Sequence, residues 1–196
     1  MIGVKEAVSD DDPADSAGQT DRVGQAHPTS QTEQQRMAAA VIRGVLAELG
    51  VVWSERQPGL FSATLPGTRK LSTECALQVG RHTVSVRAFV ARNPDESHER
   101  VYRWLLQKNL SLYGVSFAID ALGDIYLTGR VALPTVTAEE VDRLLGVVAQ
   151  TSDDSFNTIL ELGFADSIRR EWAWRRSRGE STANLAAFTH LDPGPA

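Results

Sequence analysis

A single cysteine, Cys75, excludes an internal disulfide and any cysteine-built metal cluster. Its neighbours, Glu74-Cys75-Ala76-Leu77-Gln78-Val79, read as a strand, where a lone thiol behaves as a small buried hydrophobe. No apolar run approaches the roughly 18–20 residues of a membrane-spanning helix. The first residues lack the basic-then-apolar order of a secretory signal, so a cytoplasmic protein is expected. Net charge is also scarce once the first residues are set aside. Residues 1–31 hold six acids against Lys5 and Arg22, a balance of −4 that leaves only −1 of the total −5 for the rest. A near-neutral body gives no global electrostatic case for binding nucleic acid or an anionic membrane.

Motifs that carry chemistry are missing too. There is no GxGxxG, no GxxxxGK[ST] and no GxSxG, so neither a nucleotide cradle nor a nucleophile elbow is supported. His98-Glu99-Arg100-Val101-Tyr102 opens like the zinc-protease HExxH but has Tyr where the second imidazole must stand. His27, His82, His98 and His190 are too scattered to form a ligand set. No metal and no cofactor is expected. Asp120 and Asp124 flank one turn and could perturb each other's ionisation, which leaves a small enzyme as an alternative. Acids at a hairpin tip more often bond the turn backbone, and that reading is preferred.

What is present is a central stretch, His98 to Leu133, that reads as an amphipathic helix running into a two-stranded hairpin. Within Val101–Leu110 the apolar side chains are Val101, Tyr102, Trp104, Leu105, Leu106 and Leu110. The first five spread over an arc of roughly 200°, whereas a helix lying on one sheet needs about 100°. The excess predicts burial on two sides, with a C-terminal helix of the same chain preferred over a subunit or client surface. Trp104 is expected in the core. Beyond Gly114 the period changes to two. Val115, Phe117, Ile119 and Ala121 alternate with polar or small residues, and Ile125, Leu127, Val131 and Leu133 do so after a turn at Leu122-Gly123.

Taken in order, the acidic residues 1–30 carry no aromatic side chain and are expected to be disordered. One α+β domain over 31–178 follows. Ser30-Gln31-Thr32-Glu33 suggests a capping box opening a helix, with Met37, Val41, Val45 and Leu49 on one side, Ala40 and Ile42 flanking, and its end at Gly50. Extended segments at Val52–Arg56, Leu60–Leu65, Leu71–Val79 and Thr83–Arg92 come next, the last with Val84, Val86, Ala88 and Val90 facing one way. Asp95 is placed to cap the central helix. After the hairpin, Thr137-Ala138-Glu139-Glu140 is a second capping box. Ser152-Asp153-Asp154-Ser155 is expected to interrupt that helix, and a final helix spans Asp166–Arg178. Residues 179–196 read as a flexible tail. The predicted fold is an antiparallel sheet of about six strands with helices on one face, in the order α-β4-α-β2-α-α.

The run Tyr102-Arg-Trp-Leu-Leu-Gln-Lys-Asn109-Leu110, then Val115-Ser-Phe-Ala-Ile-Asp120, then Gly123-Asp-Ile-Tyr-Leu127, resembles the YbjN-like family, and most of all its actinobacterial branch. Members are labelled sensory transduction regulators. The resemblance covers about Glu33 to Gly163, and its most specific piece is the helix ending Leu106-x-x-Asn109-Leu110 followed by the hairpin. It implies a fold similar to the type III secretion chaperones, which commonly dimerise and bind segments of other proteins. It implies no catalytic residues. The acidic tail and the Trp/Arg-rich last helix depart from the family's core.

The expected function is therefore a non-enzymatic adaptor or regulator, chaperone-like, that binds a protein segment and forms a homodimer. Its candidate contacts are Tyr102, Leu106 and Leu110. A second patch is formed by Arg170, Trp174 and Arg178 on the last helix, where an outer Trp is flanked by arginines. That patch also supports a weaker alternative, binding of nucleic acid by stacking and charge.

Overall fold

The computed structural model describes residues 28–194. The expected disordered segment 1–30 lies outside the described residues except for positions 28–30, which begin the first helix. That helix, α1 (Pro28–Glu48), opens two residues ahead of Ser30, so Ser30 lies within its first turn and not at its start. The sheet follows: β1 (Val52–Gln57), β2 (Leu60–Pro66), β3 (Ser72–Val79), β4 (Thr83–Ala91), then β5 (Val115–Ile119) and β6 (Ile125–Ala132) after the central helix α2 (His98–Asn109). A short 3-10 turn, Leu133–Thr135, leads to α3 (Ala138–Gly163) and α4 (Ala165–Arg178). The six strands are all antiparallel, in the spatial order β1-β2-β3-β4-β6-β5.

Alternation along the strands decides which face is covered. Phe61, Ala63, Leu65, Cys75, Leu77, Val84, Val86, Ala88, Val90, Ile125 and Leu127 are all buried. Their neighbours Glu74, Ala76, Gln78, Arg87, Phe89 and Arg130 are exposed. One face of the sheet thus carries the core and the other meets solvent.

The helices on the covered face differ from expectation in three places. In α1 the buried set is Ala38, Ala39, Ile42, Val45 and Leu46, while Met37 and Leu49 are exposed. Val45 and the flanking Ile42 are buried as expected, but the stripe is rotated from the row's ends, because the two small alanines let the helix backbone approach its neighbours. α3 is continuous through Ser152–Ser155. Ser152 and Asp153 do not compete with the helix backbone, because their partners lie on the β2–β3 turn and β3. Ser152 Oγ meets Thr73 Oγ1 of β3 at 2.9 Å, buried. Asp153 accepts hydrogen bonds from the backbone N–H groups of Thr68, Arg69 and Lys70 and from the Thr68 hydroxyl, at 2.7–2.9 Å. The expected breaker is the joint between α3 and the β2–β3 turn. Finally, residues 183–191, expected as part of a loose tail, form a 3-10 segment that buries Leu185 and Phe188. Trp172 of α4 is buried, and its Nε1–H donates to the Phe188 carbonyl at 3.2 Å.

Thr137 caps α3 as anticipated, accepting from the Glu140 N–H at 3.2 Å. Asp95 does not cap α2. It takes a two-pronged hydrogen bond from Arg92 and one from the Ser167 hydroxyl of α4. α2 is entered instead through Ser97, held at φ 52° with no side-chain cap. The N–H groups of Asp95 and Glu96 both donate to the Gly163 carbonyl, at 2.9 and 3.1 Å, which ties this entry to the end of α3.

Candidate functional site: the outer face of the central helix

The wide apolar arc of α2 is only half covered. Val101 and Leu105 are buried, while Tyr102 and Trp104 are half-buried. α2 packs against α3 and β5 on that side, with the Trp104 and Phe117 rings tilted at 6.3 Å between centres. Leu106 is 68% exposed and Leu110 90% exposed. Among the described residues no helix covers them, so the second burial expected from the same chain is absent. Trp104 likewise sits at the margin of the core and not inside it.

Two adjoining clefts share Tyr102 and Leu106. One, of about 330 Å³, runs between α2 and β5 and is lined also by Leu105, Phe117, Ala118 and Ile119. The other, of about 530 Å³, follows the helix to Leu110 past Arg103 and Gln107. Ile119 adds to the same apolar surface at 48% exposed. The polar residues along it are not convergent: Arg103 pairs with Glu99 one turn away at 2.7 Å.

β5 is the outermost strand beside this face, and an outermost strand ordinarily offers unpaired backbone groups to a further strand. Here one pair is taken. Asn109 Oδ1 accepts from the Phe117 N–H at 2.7 Å, and its Nδ2 donates to the Phe117 carbonyl at 3.3 Å. The side-chain amide of the last α2 residue occupies the place a seventh strand would take at Phe117. The sequence marks Asn109 as part of the Leu106-x-x-Asn109-Leu110 pattern, but spacing alone does not disclose this role. It depends on how α2 lies against β5.

The other candidates separate clearly. Arg170, Trp174 and Arg178 lie on α4, and none of them lines the α2 clefts. Trp174 is 44% exposed with the Arg178 guanidinium 5.6 Å from its ring centre. The remaining arginines of α4 are paired within the chain: Arg169 with Asp166, Arg175 with Glu171, and Arg176 with Asp192. Much of the apparent positive charge is therefore answered locally, which weakens the electrostatic case for nucleic acid.

Asp120 and Asp124 hold the hairpin tip. Asp120 Oδ1 accepts from the N–H groups of Leu122 and Asp124 at 2.9 and 3.1 Å. Asp124 Oδ1 accepts from the Asn93 N–H at 2.8 Å. Asp120 thus has the preferred turn-bonding role, whereas Asp124 reaches out of the turn to the backbone beyond β4. Gly123, at φ +85°, packs so closely on Asn93 that an added Cβ would stand 2.6 Å from its side chain. Among the described residues, no group of three or more His, Cys, Asp or Glu side chains could hold a metal ion, and no helix is long and apolar enough to cross a membrane.

A one-sided antiparallel sheet with an exposed apolar helix face defines an α+β protein whose distinguishing surface is this apolar, cleft-bearing face, bordered by the Glu99–Arg103 pair. The chain belongs to the YbjN family, described as "Putative bacterial sensory transduction regulator", whose profile matches residues 38–161. It is 56% identical over 136 residues to the uncharacterized protein Rv0487 of Mycobacterium tuberculosis, covering 69% of this chain and 74% of that one. The uncharacterized protein ML2442 of Mycobacterium leprae is 55% identical over 127 residues, covering 65% and 69%. Among solved structures the chain is similar to the ExsC–ExsE complex, with TM-score 0.48 and 16% identity over 66% of this chain and 95% of that chain. It is also similar to the Yersinia pestis type III secretion chaperone SycH in complex with a fragment of YscM2, with TM-score 0.42 and 14% identity over 59% and 96%.

Proposed function

We propose that this protein is a non-enzymatic, cytoplasmic, chaperone-like adaptor that forms a homodimer and binds a segment of another protein through the outer face of α2. The observation that carries the reading is the exposure of Leu106 and Leu110 on a helix whose opposite side is core. Covering such a leucine contributes roughly 1.5–3 kcal/mol, so a well-formed helix face that leaves two of them in water is suited to a partner. The partner docks by side-chain packing and not by strand addition at Phe117, because Asn109 already holds that backbone pair. Tyr102, with an apolar ring and a polar tip, suits the rim of such a contact. Arg170, Trp174 and Arg178 serve as a second, polar contact for the same partner.

Sedimentation of the wild type and of a Leu106→Glu, Leu110→Glu variant tests the dimer. The wild type should sediment as a dimer, and the variant, whose altered face is assigned to the partner segment, should stay folded and dimeric. Proteins retained from native lysate by the wild type and lost by the variant should rebind when purified. A wild type that is monomeric and retains the same proteins as the variant would sink the reading.

A further inference from the structure

β3 and β4 part company near one end of the sheet. Their last paired residues there are Cys75 and Ala88, while β4 continues to Ala91. Lys70, in the turn before β3, reaches into the gap, and its Nζ donates to the Phe89 carbonyl. The ammonium lies 5.3 Å from the centre of the Phe89 ring and 6.0 Å from that of Phe156. Beside it opens a cleft of about 520 Å³, floored by Val90, Leu160, Phe164, Ile168 and Leu185. Its walls come from β4, α3, α4 and the 183–191 segment, so it is separate from the α2 face.

Three charged groups besides Lys70 bear on this cleft. Arg92 is gripped by Asp95 and stacks 4.5 Å from the Phe164 ring centre. Glu171 is held by Arg175 at 2.6 Å. Glu74 lies close enough to raise the Lys70 pKa, but burial dominates and pulls it down to about 8. Among the described residues, no carboxylate stands within ion-pair distance of Lys70. A half-buried ammonium beside apolar walls has lost water without gaining an anion, and an anion brought to it would restore what burial removed. The volume lies within the few hundred to about 1,000 Å³ typical of small-ligand sites.

We propose that this cleft binds a small monocarboxylate with an apolar body, its carboxylate on the Lys70 ammonium and its hydrocarbon against Leu160, Ile168 and Leu185. Arg92 and Glu171, already paired, frame the mouth without adding net charge. One unanswered positive charge therefore selects one negative group.

Titration calorimetry of the full chain with sodium octanoate, octan-1-ol and octylammonium chloride tests the proposal. Octanoate should bind saturably and about tenfold or more tighter than octanol, the worth of one charge-assisted contact. Octylammonium should bind more weakly than either. Lys70→Met should bring octanoate down to the octanol level, and Lys70→Glu should reverse the preference toward octylammonium, each variant first verified as folded by circular dichroism. Absence of saturable octanoate binding by the wild type would overturn the proposal, as would equal affinity for octanoate and octanol. Octanoate binding unchanged in Lys70→Met would do the same.

Discussion

Gly67, in the turn between β2 and β3, and Asp153, in the middle of α3, touch so closely that a β-carbon on Gly67 would stand 2.6 Å from Asp153 Oδ1. The same atom would meet the Lys70 carbonyl at 2.3 Å. Gly67→Ala should therefore cost more than the half to 1 kcal/mol that alanine ordinarily gains over glycine, and we expect a net loss of about 1–3 kcal/mol. Gly44 in α1 and Gly146 in α3 have nothing within 4 Å of the added carbon. Alanine there should raise stability by about 0.5–1 kcal/mol each, measured by urea denaturation. A Gly67→Ala protein as stable as the wild type would show that the turn does not seat on α3 as described.

The Asp153 carboxylate also sets an acid limit. Its partial burial alone would raise its pKa, but the Thr68 hydroxyl and the N–H groups of Lys70, Arg69 and Thr68 outweigh that and hold it at about 2, against an ordinary 3.8. The folded value is the lower one, so the ionised carboxylate stabilises the fold fully at neutral pH. That contribution is lost as pH falls through the window from about 4 to about 2. Asp153→Asn should cost about 2–3 kcal/mol at pH 7. It should also flatten the decline of stability across that acid window. A variant with the wild-type acid profile would remove Asp153 from the account.

A series along α2 separates its two faces. Leu105→Ala, at a buried position, should cost about 2–5 kcal/mol by leaving a cavity. Trp104→Ala should cost less than the about 3–5 kcal/mol of a fully buried tryptophan, because only part of the ring is covered. Leu106→Ala and Leu110→Ala should fall within about 0.5 kcal/mol of the wild type when measured on the monomer. Large losses at Leu106 in a dilute, monomeric sample would mean that the chain itself covers this face.

Cys75 should be silent until the protein unfolds. Burial, with a lesser push from Glu74, raises its thiol to about 12, so almost no thiolate exists at neutral pH. Labelling by an aromatic disulfide reagent should follow global unfolding, rising with urea along the same curve as the loss of circular dichroism. Rapid native-state labelling would contradict the packing of β3.

Period and spacing were enough to recover the strands, because a residue in β4 such as Val86 can face only the core or solvent, and its sequence neighbours Ser85 and Arg87 settle which. Helix faces were harder. In α1 the ends of the row Met37, Val41, Val45, Leu49 turn outward, and contact is made through Ala38, Ala39, Ile42, Val45 and Leu46, the two alanines letting the helix approach closely. Ser152 and Asp153 were misread because serine and aspartate favour helix ends only when no distant partner claims them, and Thr73 and the Thr68–Lys70 backbone lie some eighty residues earlier in the chain. At the candidate site, Leu106 and Leu110 were legible as surplus apolar residues. Whether anything covered them, and what Asn109 does, depended on tertiary placement. Lys70 was invisible as a site residue, since its cleft is built from segments joined only in the fold.

The strand order β1-β2-β3-β4-β6-β5 divides the sheet into two assembly problems. Strands β1 to β4 form a meander of neighbours joined by short turns, and β5 with β6 is a hairpin. The β4–β6 seam, from Thr83 against Ala132 to Ala91 against Ile125, joins residues between which α2 and all of β5 must already be accommodated. Loop closure falls mainly on that one seam. Asn109 and Phe117 stand only eight residues apart, so α2 can settle beside β5 within the second half, and the seam then joins that half to the meander. A chain halted before the seam closes would hold the β1–β4 meander and the β5–β6 hairpin as separate pieces, with the proposed docking face on the second of them alone.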